Sequence, residues 1–480
     1  MNKIIFVIVL VGGIFAQLNQ DARMLGLNGA YTTVARGYQC VGINPANLVS
    51  DSKLFTLNFF TLNMGFGNNS ISLNFLNEIN GANFEDADAE LYFPKSDLEY
   101  IFDNNGLLFS TEFTFPLPIL NFSYKNYALT SGPKIFSKFG IPNGFVDFMI
   151  NGNEIGKDLS ISMPVDIMSV HETALSYAYE AQQFSIGGSF KYILGGFYST
   201  FESIDSSYFR TDSTAFTGSG SYLMKQAIGG NGFGLDIGVL SKRNQNGIQI
   251  GASLTNLFAS IKWTQNHFLR SSIENSIKSS LPEQYYLRQN EFYYYQLKID
   301  SMNAINLSSK SIDEIVSRVG YKVIKVDDLS GFNLIPSDSL VIELSNQEGY
   351  LIPSEDISNS TLDSLSSNPL KVNYPSIFRL GISKHYDEGV LVVADLSTGF
   401  SEDIGGYGSW RIAFGSEITH YPLVTLRTGI AFGGLYSSSL SMGLGFKINS
   451  LNLDLGMAYR DGLSINSMHG LDISVSLSYR

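Results

Sequence analysis

From residue 377 to the C-terminus, apolar and polar positions alternate with period two in runs of about ten residues, a pattern that predicts β-strands with two unlike faces. In 471–479 (LDISVSLSY), Leu471, Ile473, Val475, Leu477 and Tyr479 share one face, while Asp472, Ser474, Ser476 and Ser478 share the other. Residues 451–459 and 440–448 repeat the pattern, and 423–432, 410–418, 390–398 and 377–386 precede them. Farther back, 247–263, 231–242, 184–198 and 171–180 fit the same template, with weaker candidates at 54–63, 70–77, 107–115 and 119–130. A soluble sandwich also alternates, but it leaves charge on its outer face. Here the polar face is mostly Gly and Ser, as expected of strands that turn apolar residues to lipid and small polar residues to a lumen. The expectation is an all-β, transmembrane antiparallel β-barrel of about 14 strands.

The connections predict its orientation. Asn449-Ser450, Asp387-Glu388-Gly389 and Asn244-Gln245-Asn246-Gly247 read as tight turns, whereas 399–409, 433–439 and 460–470 are longer and rich in Gly and Ser. A strict alternation of short and long places the short turns and the chain terminus on the periplasmic side. Tyr177, Tyr179, Tyr192, Tyr386, Trp410, Tyr459 and Tyr479 are expected near strand ends, at headgroup level. On the inward faces fall Arg379, Asp395, Arg411, Glu417, Arg427, Lys447, Asp454 and Asp472. The Asn449-Ser450 turn sets Gly445 opposite Asp454 and brings Arg427 near, so that the arginine spans the glycine. These charges read as a salt-bridge network or as a ligand site, the first being favoured.

Both ends of the remaining chain carry signals of their own. Lys3, the apolar run 4–15 and Ala16 predict a cleavable signal peptide over 1–16. Residues 264–370 interrupt the strand pattern, with 8 Lys+Arg against 14 Asp+Glu, the tyrosines Tyr285, Tyr286, Tyr293, Tyr294 and Tyr295, and a helix start at Ser311-x-x-Glu314. That length suggests a small extracellular α/β insertion.

Composition narrows the function classes. Charged residues make up 16% of the chain, below the ~25% of soluble domains. Mean hydropathy is +0.05, and beyond the N-terminus no run reaches the ~18–20 apolar residues of a membrane helix. A net charge of −13 argues against nucleic acid. The histidines (His171, His267, His385, His420, His469) are scattered, so no metal site is expected, and the single Cys40 reads as a packed small residue. The Gly-x-Gly of 232–238 lies inside an alternating strand, and no nucleophile elbow occurs. Neither an enzyme nor a cofactor is expected.

Between the apolar start and the first strand lies DARMLGLNGAYTTVARGYQCVGINPANL, residues 21–48. Through Ala22, Arg23, Gly26, Gly29, Ala30, Tyr31 and Asn44-Pro45-Ala46-Asn47-Leu48, this stretch resembles the N-terminal segment of the FadL-like long-chain fatty-acid transporter superfamily and of PorV-type barrels of the type IX secretion system. The resemblance resumes at 232–240, 252–258 and 374–480, is strongest to an uncharacterised branch, and departs at the end, where Arg480 follows Tyr479. It implies a lumenal plug over 17–50, a first barrel part over 51–263 and C-terminal barrel strands over 371–480. Gly26 and Gly29 would let the plug approach the wall, and Asn44-Pro45-Ala46 would form a fixed turn within it. The implied setting is the outer membrane of a diderm bacterium. The implied function is passive uptake of hydrophobic small molecules such as long-chain fatty acids. The alternative is a PorV-like component of a secretion or assembly system. The partners implied are outer-membrane lipid and a hydrophobic ligand, or secretion-system proteins.

Overall fold

The computed structural model describes residues 21–51, 55–102, 106–162, 164–203, 207–264, 267–269, 272, 291–303, 319–325, 371–400 and 408–480. The signal peptide, Tyr285, Tyr286 and the Ser311 helix start fall outside them. The chain enters through a short helix, α1 (Ala22–Gly26), and two 3-10 turns, Gly37–Cys40 and Pro45–Asp51. Then follow β1 (Phe55–Asn68), β2 (Leu107–Thr114), β3 (Phe122–Tyr124), β4 (Tyr127–Ile141), β5 (Asp158–Ser160), β6 (Val165–Glu180), β7 (Phe184–Ser203), β8 (Tyr208–Thr211), β9 (Ala215–Ser241) and β10 (Ile248–Trp263). After these come β11 (Glu291–Asn303), β12 (Val319–Lys325), β13 (Lys371–Asn373), β14 (Ile377–His385), β15 (Val390–Gly399), β16 (Arg411–Ile418), β17 (Val424–Gly433), β18 (Ser438–Ile448), β19 (Leu451–Arg460) and β20 (Gly470–Tyr479).

Each wall strand pairs antiparallel with its neighbours, and β1 pairs with β20 from Leu57↔Tyr479 to Gly67↔Gly470, which closes the ring. The wall has 14 strand positions. β2 and β3 share one of them, each pairing with both β1 and β4. β13 and β14 likewise share the place beside β10. A closed ring leaves no unpaired edge, the condition for strands to cross a bilayer. The strands from β14 to β20, 8–11 residues long, are close to the ≈9–11 residues a tilted crossing needs. β7 and β9 run far longer, and the outer part of β9 carries β11, with β12 beside it. The described part of the insertion is therefore a strand extension of the wall; the helix expected from Ser311 lies outside the described residues.

Period-two alternation sets the two faces. In β20, Ser474 and Ser476 are buried inside while Ile473 is exposed outside; in β18, Ser439 and Ser441 are buried while Met442 and Leu444 are exposed. Exposed Leu, Ile, Phe and Met recur around the exterior, and an apolar belt of that extent belongs in lipid, not in water. Tyr124, Tyr127, Tyr177, Tyr179, Tyr386, Tyr421 and Tyr479 gather at the end of the ring where the last strand, β20, finishes. Tyr192 departs from the expectation, since it lies mid-strand in β7 and donates to Asn231 Oδ1.

Other expectations are corrected as well. Residues 70–77 do not form a strand, because Ser72 Oγ accepts from Phe75 N and starts a helix, α2 (Leu73–Ile79). With α3 (Lys95–Phe102) and α4 (Asn143–Asn151) it shares a small core of Phe75, Leu98, Phe102, Leu107 and Val146 at the far end from the tight turns. The run 119–130 is split by a turn at Lys125, whose φ is +53°. The connection read as long at 433–439 is a tight one, Gly433 N donating to Ser437 O at 3.1 Å with Gly433 and Gly434 both at positive φ. The ends still alternate there, but loop length does not mark them.

Candidate functional site

The core lies within the ring. Residues 21–48 are buried almost throughout, and Met24, Leu27, Ala30, Tyr31, Val34, Cys40, Val41 and Ile43 pack against wall side chains that are mostly alanine. Such a segment is too short to bury its own apolar surface, so the wall supplies the burial. Small residues on the inner face make room for it. A Cβ on Gly456 would sit 2.6 Å from Ala22 O, and one on Gly429 would sit 2.6 Å from the Leu27 carbonyl carbon. Gly26 faces Gly443 in the same way, with 3.1 Å from its notional Cβ to the Gly443 Cα. Gly29 answers a different need: at φ +78° it ends the first turn, its N–H donating to Met24 O.

The turn Asn44-Pro45-Ala46 seats against the opposite wall. Asn44 Oδ1 accepts from Ala46 N at 3.1 Å, and Asn44 Nδ2 donates to Thr32 O at 3.2 Å and to Val239 O of β9 at 3.1 Å. Proline fixes φ, and Asn47 Nδ2 adds bonds to Thr32 O and Ala35 O. Side chains larger than hydrogen at Gly187 or Gly238 would run into this turn.

Charges complete the docking. Arg23 Nε and Nη2 reach Glu417 at 2.7 and 2.9 Å, while Arg23 Nη1 donates to Val34 O. Glu417 also accepts from Arg427 Nε at 2.7 Å, and Arg427 Nη1 lies 2.6 Å from Asp454, across Gly445. Arg411 donates to Asn28 O and Oδ1 at 2.8 and 2.6 Å. Asp395 Oδ2 accepts from Tyr31 N, Thr32 N and Thr32 Oγ1 at 2.6–2.8 Å. Arg379, also buried, lies one strand over, its Nε without a hydrogen-bond partner among the described residues. Of the inward charges named from sequence, only Lys447 is exposed.

A second cluster was not read from the sequence. Lys191 of β7 lies 3.0 Å from Asp236 and 3.4 Å from Glu172, and donates to Asn256 Oδ1 at 2.7 Å. Glu172 also pairs with Lys134 at 2.9 Å and accepts from Tyr374 Oη at 3.1 Å. Parity could have found it, since Asp236 shares the inward face of Gly232, Gly234 and Gly238. A third group joins Arg460 to Asp472, with Glu112 at 3.9 Å. Among the described residues no group of three or more His, Cys, Asp or Glu could hold a metal ion.

Between β2 and β3 the wall is broken. Residues 115–121 (FPLPILN) leave the ladder, since Pro116 and Pro118 lack N–H donors and Ile119 takes φ +66°, which β-branched residues rarely adopt. Asn58 Nδ2 donates to Pro116 O at 3.2 Å, and only scattered backbone bonds remain, from Phe115 N and Leu117 N to Pro133 O and Ser131 O of β4 and from Ile119 N to Asn58 O of β1. Behind this break lies a cavity of about 60 Å³ between plug and wall, lined by Asp21, Tyr38, Gln39 and Val41 from the plug and, among others, Thr114, Pro116, Asn121, Pro133, Lys134 and Glu172 from the wall. Asp21 caps α1, its Oδ1 accepting from Arg23 N and Met24 N at 2.8 and 2.9 Å. Burial pushes its carboxyl up to about 6.

One family model matches part of this chain. The Family of unknown function (DUF5723) matches residues 45–224, from the Pro45 turn through most of the N-terminal wall. No curated protein matches the sequence. Among solved structures, the chain is similar to the Ralstonia pickettii toluene transporter TbuX, at 13% identity over 97% of this chain and 98% of that one, with a TM-score of 0.47. It is also similar to the P. putida toluene transporter TodX, at 11% identity over 98% and 99%, with a TM-score of 0.47. A Pseudomonas aeruginosa FadL homologue matches at 11% identity over 97% and 99%, with a TM-score of 0.46. The barrel itself rests on the strand pairing described above.

Proposed function

We propose that the chain stands in the outer membrane of a diderm bacterium and passes hydrophobic small molecules inward without coupled energy. The observation that carries this reading is the cavity where the plug meets the broken strand. A plain porin lumen would be a wet channel. Here residues 21–48 fill the bore, pinned by charge and by the Asn44 turn, so water and ions have little free passage. The break at 115–121 is a place where an apolar molecule can move between the bore and the surrounding lipid without crossing an intact ladder. Val41, Pro116 and Pro133 offer it apolar contact there.

Uptake into proteoliposomes of radiolabelled palmitate and of toluene tests this, against protein-free vesicles. The expected result is faster entry of at least one of them, with glucose entry unchanged. Entry at the protein-free rate for both, together with stable protein partners recovered from native membranes, would instead favour the secretion-component reading.

A further inference from the structure

The chemistry of the cavity behind the broken strand says more about what it takes. Its plug side presents Asp21, which is only 1% exposed. Oδ1 of that carboxylate is committed to the α1 cap, while Oδ2 has no hydrogen-bond partner among the described residues. A buried acceptor without a donor is costly, and a molecule that brings a donor gains the difference. The neighbouring charges do not supply one. Arg23 is turned away to Glu417 and Val34 O. Lys134, on the wall side, is already paired with Glu172. Asp21, Lys134 and Glu172 together leave the cavity lining with a surplus of negative charge.

We infer that Asp21 selects, within the class of hydrophobic molecules, those that carry a hydrogen-bond-donating head such as a phenol or alcohol hydroxyl, and discriminates against carboxylates. The hydroxyl enters the cavity and donates to Asp21 Oδ2, while the aromatic or alkyl body, larger than the cavity, extends along Val41, Pro116 and Pro133 toward the break in the wall. An anionic head at the same place meets the carboxylate with no unpaired cation among the described lining residues to offset it. The inference rests on the uptake reading for the route, but the site can be tested by binding alone.

Equilibrium dialysis of the purified full-length protein against three molecules with one body separates the cases: 4-propylphenol, propylbenzene and 4-propylbenzoate. Wild type is expected to bind the phenol at least about tenfold more tightly than the benzoate, and more tightly than propylbenzene, since a satisfied buried polar group discriminates strongly against analogues that lack it. Asp21→Asn keeps an oxygen for the α1 cap but replaces Oδ2 by an amide donor, and should cut the phenol-over-benzoate preference to near unity while leaving propylbenzene binding unchanged. Resistance to SDS before heating confirms that the variant is folded. Equal wild-type affinity for the three, or a preference that survives in Asp21→Asn, overturns the inference. Proteoliposome uptake run in parallel keeps the two readings apart. Selective binding without uptake upholds the site and sinks the route, whereas uptake of all three at one rate upholds the route and sinks the selectivity.

Discussion

The wall from β14 to β20 and the wall from β1 to β4 solve the same problem differently. In the first, every strand is 8–11 residues long and pairs along its whole length, with registers such as Gly445↔Asp454 and Leu453↔Leu477 running unbroken. In the second, one strand position is split in two, two helices intervene between β1 and β2, and β1 shifts register against β20 between Asn58 and Phe60. The regular arc grips the plug through Glu417, Arg427 and Arg411. The broken arc leaves a cavity beside it. Ladder continuity thus goes with holding the plug, and ladder interruption with the cavity beside it.

The largest effect expected is in the regular arc. Glu417→Ala leaves Arg23 and Arg427 buried without their shared carboxylate, a loss of about 3–5 kcal/mol. Conductance in planar bilayers should rise as the plug loosens, and unchanged conductance with unchanged denaturation would show that the network does not hold it. Next is Leu453→Arg, on the lipid face, which should cost about 2–4 kcal/mol and impair heat-modifiable assembly. The same change at Ser476 is no mild control, because that inward side chain is packed, not wet. Third, Gly429→Ala should cost about 1–3 kcal/mol by pushing a methyl into the Leu27 backbone; an unaltered urea midpoint would mean the plug shifts freely. Fourth, Pro116→Thr with Pro118→Thr restores two donors to the broken arc. Global stability should move by less than about 1 kcal/mol, but amide exchange over 115–121 should slow and hydrophobic uptake should fall. Continued fast uptake would separate the break from the route.

The smallest effect concerns acid. In the folded chain, burial above all raises the Asp21 carboxyl from its ordinary 3.8 to about 6, with Asp454 raising it further and the α1 amides and Arg23 lowering it. A carboxyl with a raised folded value binds its proton more tightly in the folded state, so the stabilising contribution is fully present below about 3.8 and is lost as pH rises through about 6. Against Asp21→Asn as reference, the wild-type melting temperature should fall between pH 5 and pH 7. No relative change would place the carboxyl in a more solvated setting.

What was legible in the sequence follows from which forces are local. Period-two patterning and the Asn449-Ser450 turn act over a few residues, so the strands from 377 onward and the bridge from Arg427 to Asp454 could be read directly. Where Pro116 and Pro118 broke the pattern, the same rule ran 119–130 together and missed the Lys125 turn. It also took 70–77 for a strand because the Ser72 cap competes with alternation over only one turn. The charges split along the same line. Asp454 and Arg427 sit on clean strands, whereas Lys191, Glu172 and Asp236 meet only because β6, β7 and β9 lie side by side. Asp21 was passed over because its burial comes from a wall encoded hundreds of residues later.

That separation also sets an order in time. Arg23 and Glu417 are 394 residues apart, and α1 rests on β17 to β20, the last strands to be made. Loop closure over such a distance is slow and must precede any reward from the contact. Residues 21–48, made before the wall, therefore find their seat only once the last strands are in place. Until the ring closes, the segment must stay where the closing wall can enclose it and not be trapped outside.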